Sequence, residues 1–341
     1  MRVDSSVPGA PSRPVIALSI TALMAIWAIN FLVIKIGLRY LPALTFASFR
    51  LVAAGSFMLA IAPLCARLAI FRDPATTDRT VIPPAPNDRA GSDATILSST
   101  SHESRNTGHD FWVFFYLGFF GVAVNQFCFT LGLRYTNVTH SSIIVGLAPI
   151  YTLILAVLFR LERLTLRIVI GMTIAFTGVA LLASSTGMAH HSPTLLGDAI
   201  TMCGSLGFAM YVVLGKRVAG RYNPLTMTTW NFIFGALLAL PVAMQQFFAN
   251  DILHTWRALP WQAYACVFYT GLFSSTLAYL FYFWLLRYLA ASQLASFSYL
   301  LPVSASALSI LFLGERGSLL ELLGAILALL GVYYIESTRS S

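Results

Sequence analysis

The chain has 341 residues, 57% of them hydrophobic and only 10% charged, with a mean hydropathy of +0.77. A soluble domain carries about 25% charged residues, so this composition excludes a water-soluble globular protein and identifies an integral membrane protein. The formal net charge of +8 would suggest nucleic acid in a soluble chain; in a membrane chain it belongs to the loops that set orientation, and no nucleic-acid partner is expected.

Residues 1–13 are polar, with Pro8 and Pro11. They lack the basic, apolar and small-residue order of a cleaved signal peptide, so a cytoplasmic tail is predicted and the first apolar stretch stays in the protein. A spanning helix needs about 20 mainly apolar residues. Ten stretches qualify: 14–36, 43–66, 111–132, 137–158, 165–186, 195–214, 224–246, 261–285, 289–312 and 317–336. They are continuously apolar rather than alternating, which predicts helices and not barrel strands. The connections are short except for residues 67–110, a polar segment with Pro83-Pro84-Ala85-Pro86 and mixed charge. A disordered cytoplasmic loop is predicted there, either a spacer or a regulatory element.

With the N-terminus inside, the inner segments carry fifteen Lys and Arg against five outside, and Arg50 lies within a span. Cytoplasmic loops are enriched in these residues, so both termini are predicted to be cytoplasmic.

A long-period repeat underlies the ten stretches. At an offset of 153, Gly118 recurs as Gly271, Leu133-Arg134-Tyr135 as Leu286-Arg287-Tyr288, Pro149 as Pro302, Glu162-Arg163 as Glu315-Arg316, and Gly171 and Gly178 as Gly324 and Gly331. Earlier in the unit, Lys35 pairs with Lys216 at 181 and Pro42 with Pro224 at 182; the loop 67–110 accounts for the change of offset. One copy occupies 14–186 and the other 195–336. Each holds five spans, an odd number, so the copies enter the membrane from opposite sides. Inverted repeats of this kind are the usual basis of alternating access around a site near the midplane.

No catalytic constellation is visible, and no enzyme activity, metal or cofactor is expected. His190-His191 falls in an outer loop, and Asn137-Val138-Thr139 fits a glycosylation pattern beside a span. The four cysteines read as small buried apolar residues. Polar residues inside apolar spans are the informative ones, because they are costly in hydrocarbon and face the bundle or a cavity.

Arg50, about seven residues into the second span, is either a fixed positive charge for an anionic group such as a carboxylate or a structural charge. Lys35 lies closer to the boundary and is expected to snorkel. Asn30, one turn from Trp27, and Asn125 and Gln126, mid-way along the third span, either bridge helices or contact substrate. Gln293 and His140, equivalent in the repeat, suit local hydrogen bonding. Tyr211, Tyr279, Tyr282 and Tyr299 suit an amphipathic cavity as a group. Pro149 and Pro302 are either paired gating kinks or inherited static ones. The four repeat-related glycines could form a packing seam, internal or between protomers. Arg50, Asn30 and Asn125 are expected to have no polar equivalent in the second copy, so substrate choice is expected to lie in that asymmetry. None of the thirteen acidic residues sits at the centre of a span, which weakens a proton-coupled mechanism.

Trp27-Ala28-Ile29-Asn30-Phe31, with Lys35 and then Phe49-Arg50, resembles the opening of EamA-type proteins of the drug/metabolite transporter superfamily. Leu147-Ala148-Pro149, Leu161-Glu162-Arg163, Gly171 and Gly178 resemble the end of the same five-span unit, and Leu301-Pro302, Gly314-Glu315-Arg316, Gly324 and Gly331 repeat it. Ala28 stands where Gly is common, and the long polar loop is a further departure. The resemblance implies an all-α bacterial inner-membrane carrier that exports amino acids or related metabolites. It implies a basket of eight helices around a central cavity, with spans 5 and 10 peripheral. The partners expected are a small-molecule substrate and the lipid bilayer, and the protein a monomer or homodimer. A proton-coupled multidrug or cation exporter is the alternative.

Overall fold

The structure, a computed structural model, describes residues 11–65, 107–135, 144–185, 195–249, 259–304, 307 and 318–338. The polar loop up to residue 106, Asn137 to His140, His190-His191 and Glu315-Arg316 lie outside the described residues, as do the side chains of Lys35 and Glu336.

Every regular element among the described residues is helical. The first copy contains α1 (Arg13–Gly37), α2 (Ala43–Cys65), α3 (Thr107–Leu117 continuing through Gly118–Val124 to Asn125–Tyr135), α4 (Ala148–Leu158) and α5 (Leu166–Ser185). The second contains α6 (Leu195–Val218), α7 (Pro224–Ala249), α8 (Trp261–Tyr269 continuing through Thr270–Leu277 to Ala278–Tyr288), α9 (Ala291–Ser296 with Phe297–Tyr299) and α10 (Leu319–Thr338). Six helices are long and apolar enough to cross a membrane, and those within 144–158, 166–182 and 319–335 are shorter apolar ones. Ten crossings are even in number, so α1 begins and α10 ends on one face of the bundle, the termini face.

Local chemistry sets the ends. Pro14 sits in the first turn of α1, where its missing N–H leaves nothing unsatisfied. The Leu225 N–H donates to Asn223 Oδ1 at 2.9 Å, capping α7. Ser318 and Glu321 cap α10 reciprocally, each backbone N–H donating to the other side chain at 3.1 Å. Within the apolar helices, hydroxyls of Ser48, Thr130, Thr152, Thr201 and Thr228 donate to the carbonyl four residues back, which keeps them satisfied without water.

The two copies meet as a pseudo-two-fold requires. A Cβ added to Gly178 would lie 2.3 Å from Ala328 N and 2.6 Å from the Gly324 carbonyl; one added to Gly331 would lie 2.4 Å from Ala175 N. Ala175 and Ala328 are themselves 153 apart, so each contact is the repeat image of the other. These glycines let the backbones of α5 and α10 touch, and the seam they form is internal.

The early register is fixed in the same way. A Cβ added to Gly118 would lie 2.7 Å from Phe234 Cβ and 3.3 Å from Gly235 N, while one added to its repeat image Gly271 would lie 3.1 Å from Ala53 Cβ and 3.5 Å from Ala54 N. Phe234 therefore corresponds to Ala53 and Gly235 to Ala54, an offset of 181. Applied along α1 and α2, it pairs Trp27 with Phe208, Asn30 with Tyr211 and Arg50 with Asn231. This corrects the expectation that Asn30 and Arg50 lack polar counterparts; Asn125 does lack one, since its image is Ala278.

Two π-helical segments, Gly118–Val124 in α3 and Thr270–Leu277 in α8, occupy equivalent places in the repeat. Such widened turns are rare and concentrate at functional sites. The prolines are placed differently from mid-helix kinks. Pro149 opens α4 just after a turn at Leu147, and Pro302 follows the 3₁₀ segment Phe297–Tyr299. In both cases the helix is already interrupted where the proline's missing donor falls. Large apolar side chains such as Leu158 (73% exposed), Leu166 (75%) and Tyr333 (71%) cover the outside, as a lipid-facing surface demands. Cys203 is exposed there too, and only Cys266 of the described cysteine side chains is fully buried.

Candidate functional site

The two π segments face the middle of the bundle, and the polar residues of the apolar helices collect around them. Arg50, 3% exposed in α2, donates from Nε to Ser275 Oγ at 3.0 Å and from Nη2 to Ser274 Oγ at 3.3 Å. Both serines belong to the π segment of α8. Their hydroxyls are neutral, so among the described residues the guanidinium keeps its charge uncompensated by a carboxylate, and Nη1 makes no hydrogen bond. A guanidinium has five donors in a fixed fork suited to a planar anion.

Ser274 also links Arg50 to the aromatics, because Trp27 Nε1 donates to the Ser274 carbonyl at 3.2 Å. The Trp27 ring meets Phe208, Tyr279 and Tyr282 at centroid distances of 6.0, 6.1 and 5.6 Å. Tyr211 joins them, 5.5 Å from Tyr279 and 5.1 Å from Phe283. It does so because Gly121 has no side chain: a Cβ there would sit 1.9 Å from the Tyr211 ring.

Gln126 Nε2 donates to the Tyr279 hydroxyl at 3.0 Å. These two residues are 153 apart, so each is the repeat image of the other. Residues related by a two-fold that touch one another lie on the axis, and this bond marks it at the heart of the cluster. The Tyr279 hydroxyl has one proton to give and two acceptors at the long limit, the Gly121 carbonyl at 3.4 Å and Asn125 Oδ1 at 3.5 Å. Asn125 Nδ2 bridges to α6 through the Gly204 carbonyl at 3.0 Å.

Of the residues expected at a site, Trp27, Arg50, Asn125, Gln126, Tyr211, Tyr279 and Tyr282 therefore form one connected cluster. Asn30 and Tyr299 are buried, but no hydrogen bond or ring contact joins them to it among the described residues. Pro149 and Pro302 lie outside it. Gln293 is buried at the start of α9 and hydrogen-bonded there.

Sequence reading missed two parts of this arrangement. The first is the pair Ser274 and Ser275, unremarkable as letters in an apolar run. The second is Asn231 in α7, 0% exposed and beside Tyr211. Extending the offset of 181 past Lys216 would have found it. Among the described residues several buried polar atoms have no hydrogen-bond partner: Asn30 Oδ1, Ser205 Oγ, Gln262 Oε1, both side-chain polar atoms of Asn231, and the hydroxyls of Tyr211, Tyr282 and Tyr299. Buried polar groups are ordinarily paired, so this concentration marks the region as built for more than packing.

On the termini face polar contacts tie the helix ends together both between and within copies. Glu162, following α4, accepts from the Ser292 backbone N–H at 2.9 Å and from its hydroxyl, in the first turn of α9. Lys216 of α6 donates to the Leu286 and Leu289 carbonyls, both at 2.8 Å, closing the end of α8. The Arg217 guanidinium lies 4.7 Å over the Phe159 ring centroid at the end of α4.

Comparison with known proteins adds an independent line. Residues 94–184 and 195–337 match the family described as EamA-like transporter family. A protein of Archaeoglobus fulgidus described as an uncharacterized transporter is 30% identical over 66% of this chain and 77% of its own length. A second from the same organism is 25% identical over 91% of this chain and 93% of its own. A protein of Streptantibioticus cattleyicolor named a probable terminal-alkyne amino-acid exporter is 23% identical over 63% of this chain and 70% of its own. A solved crystal structure superposes with a TM-score of 0.66 over 97% of this chain and 100% of that one, at 15% identity, a likeness of fold alone.

Proposed function

The chain belongs to the EamA-like transporter family, a family of transporters and not of enzymes, and from that premise we propose that it exports a small carboxylate, an amino acid or a related compound. The observation that carries this reading is Arg50: a buried guanidinium that, among the described residues, is held by neutral hydroxyls through Nε and Nη2 and makes no hydrogen bond through Nη1, at the edge of an aromatic cluster. Desolvating a cation without a counter-charge is expensive, and an arriving carboxylate offsets that cost by bidentate bonding. The name carried by the Streptantibioticus cattleyicolor relative is consistent with such a substrate.

Transport proceeds by alternating access about the axis through Gln126 and Tyr279. The cluster would be reached from one side at a time, with the Glu162–Ser292 tie as part of the barrier on the termini face. The basic loops favour placing that face in the cytoplasm of a bacterial inner membrane. Arg50 itself argues against the alternative, a cation exporter, because a fixed positive charge repels such a substrate.

The test is counterflow of labelled amino acids into liposomes holding the purified protein. Wild type exchanges carboxylate substrates, and Arg50→Ala does not. Exchange of cationic dyes driven by a pH gradient, with no amino-acid counterflow, would reverse the assignment.

A further inference from the structure

The cluster has two ends related by the pseudo-two-fold, and among the described residues the protein supplies side-chain hydrogen-bond partners at only one of them. At the first end, Arg50 of α2 reaches Ser274 and Ser275 on the π segment of α8. The image of Arg50 is Asn231 of α7, and the images of the two serines are Gly121 and Val122 on the π segment of α3. The hydroxyls that hold the arginine are thus absent at the matching place. Asn231 is left 0% exposed with neither Nδ2 nor Oδ1 hydrogen-bonded.

Tyr211, the image of Asn30, stands next to Asn231 and their side chains interact, yet neither the Tyr211 hydroxyl nor either polar atom of Asn231 completes a hydrogen bond of normal geometry among the described residues. Three polar atoms on two neighbouring side chains therefore lack a partner of normal geometry in the same spot. An isosteric leucine would fill the place of Asn231 without leaving buried polar atoms unpaired.

Resting on the reading of Arg50 as the carboxylate anchor, we propose that Asn231 and Tyr211 form the second pole of the substrate site and select substrates by a neutral group that both donates and accepts hydrogen bonds. Asn231 offers two donors and one acceptor oxygen, and Tyr211 one of each. A primary amide complements such a pair fully, and a hydroxyl does so partly. A simple apolar side chain leaves both residues unpaired, and sites built to hydrogen-bond a substrate group reject the analogue without it strongly. A cationic substrate group finds no carboxylate among the described residues that contact this pole. The chemical class is therefore a carboxylate carrying a distal amide or hydroxyl, with Arg50 fixing one end and Asn231 the other.

The experiment compares glutamine with norleucine, close in size and differing in the amide, as competitors of counterflow in liposomes holding the full-length protein. Wild type is expected to prefer glutamine by about tenfold or more, the scale set by leaving a buried donor and acceptor unpaired. Asn231→Leu should bring that ratio to about one while norleucine exchange persists, and should raise the melting temperature of the unliganded protein. Tyr211→Phe, which removes only the hydroxyl, should lower the ratio in the same direction and serves if Asn231→Leu fails to fold.

A preference for glutamine that survives both substitutions overturns the proposal. So does a wild type that exchanges both compounds equally, or one that exchanges other carboxylates and neither of these, although in those cases the role of Arg50 stands. If no carboxylate is exchanged by wild type at all, the reading of Arg50 falls with it.

Discussion

Arg50 was legible as a residue of interest because a charge in an apolar span is rare, but its partners were not. Ser274 and Ser275 become meaningful only when a widened turn in α8 points both hydroxyls at one guanidinium. Arg50→Lys keeps the charge and loses the fork, and an Arg-to-Lys change is not conservative at such a site. Counterflow of carboxylates is expected to fall about tenfold in that variant, with the protein still folded by thermal unfolding. Ser274→Ala with Ser275→Ala strips both neutral partners from a buried cation. Each hydrogen bond to a charged group is worth about 1.5–3 kcal/mol, so a clear drop in melting temperature is expected, larger than for either single change. Tyr279→Phe removes the acceptor of Gln126 Nε2 and should cost about 1 kcal/mol of stability in the same measurement.

At the scale of the element, the apolar stretches read from the sequence fall on helices wherever the described residues reach them, because length and continuity of apolar residues are what a bilayer selects. Sequence reading could not recover the π segments, since no letter pattern in Gly118–Val124 or Thr270–Leu277 distinguishes them from α-helix. It also read Pro149 and Pro302 as kinks within helices, whereas a turn at Leu147 and a 3₁₀ segment at Phe297–Tyr299 interrupt the helix first. The glycine spacing did announce a seam, though only contact between α5 and α10 shows that it is internal. Gly178→Leu would drive a side chain into the α10 backbone, and overpacking of this kind costs about 1–3 kcal/mol or more. Thermal unfolding should register that loss, while Gly220→Ala, with nothing within 4 Å of the added carbon, should leave the melting temperature unchanged.

For the whole molecule, the inverted repeat was the most legible feature, and its exact register the least. Two offsets describe one chain, and an error of one residue in the earlier part hides Asn231 behind Phe232. The packing of Gly118 and Gly271 resolves it, because backbones in contact tolerate no slip. The tie on the termini face belongs to this scale, since Glu162 comes from one copy and Ser292 from the other. Glu162→Gln keeps the shape and removes the charge from the bond. The barrier should weaken, seen as faster labelling by a membrane-impermeant thiol reagent of a cysteine introduced at Ser296, with folding unchanged. Equal labelling rates in the two proteins would leave Glu162 a mere cap.

The hydrogen bond between Gln126 and Tyr279 also speaks to symmetry. In an antiparallel pair of identical five-helix chains, whatever stands on the axis must face a second copy of itself. Two glutamines or two tyrosines there would duplicate donors and acceptors by necessity. Here a glutamine donates to a tyrosine, a pairing of unlike residues that two identical chains cannot place on their axis. The mismatch at the centre of symmetry thus marks a place where the two copies differ and yet touch, so that neither residue can be exchanged for its image without changing the bond on the axis.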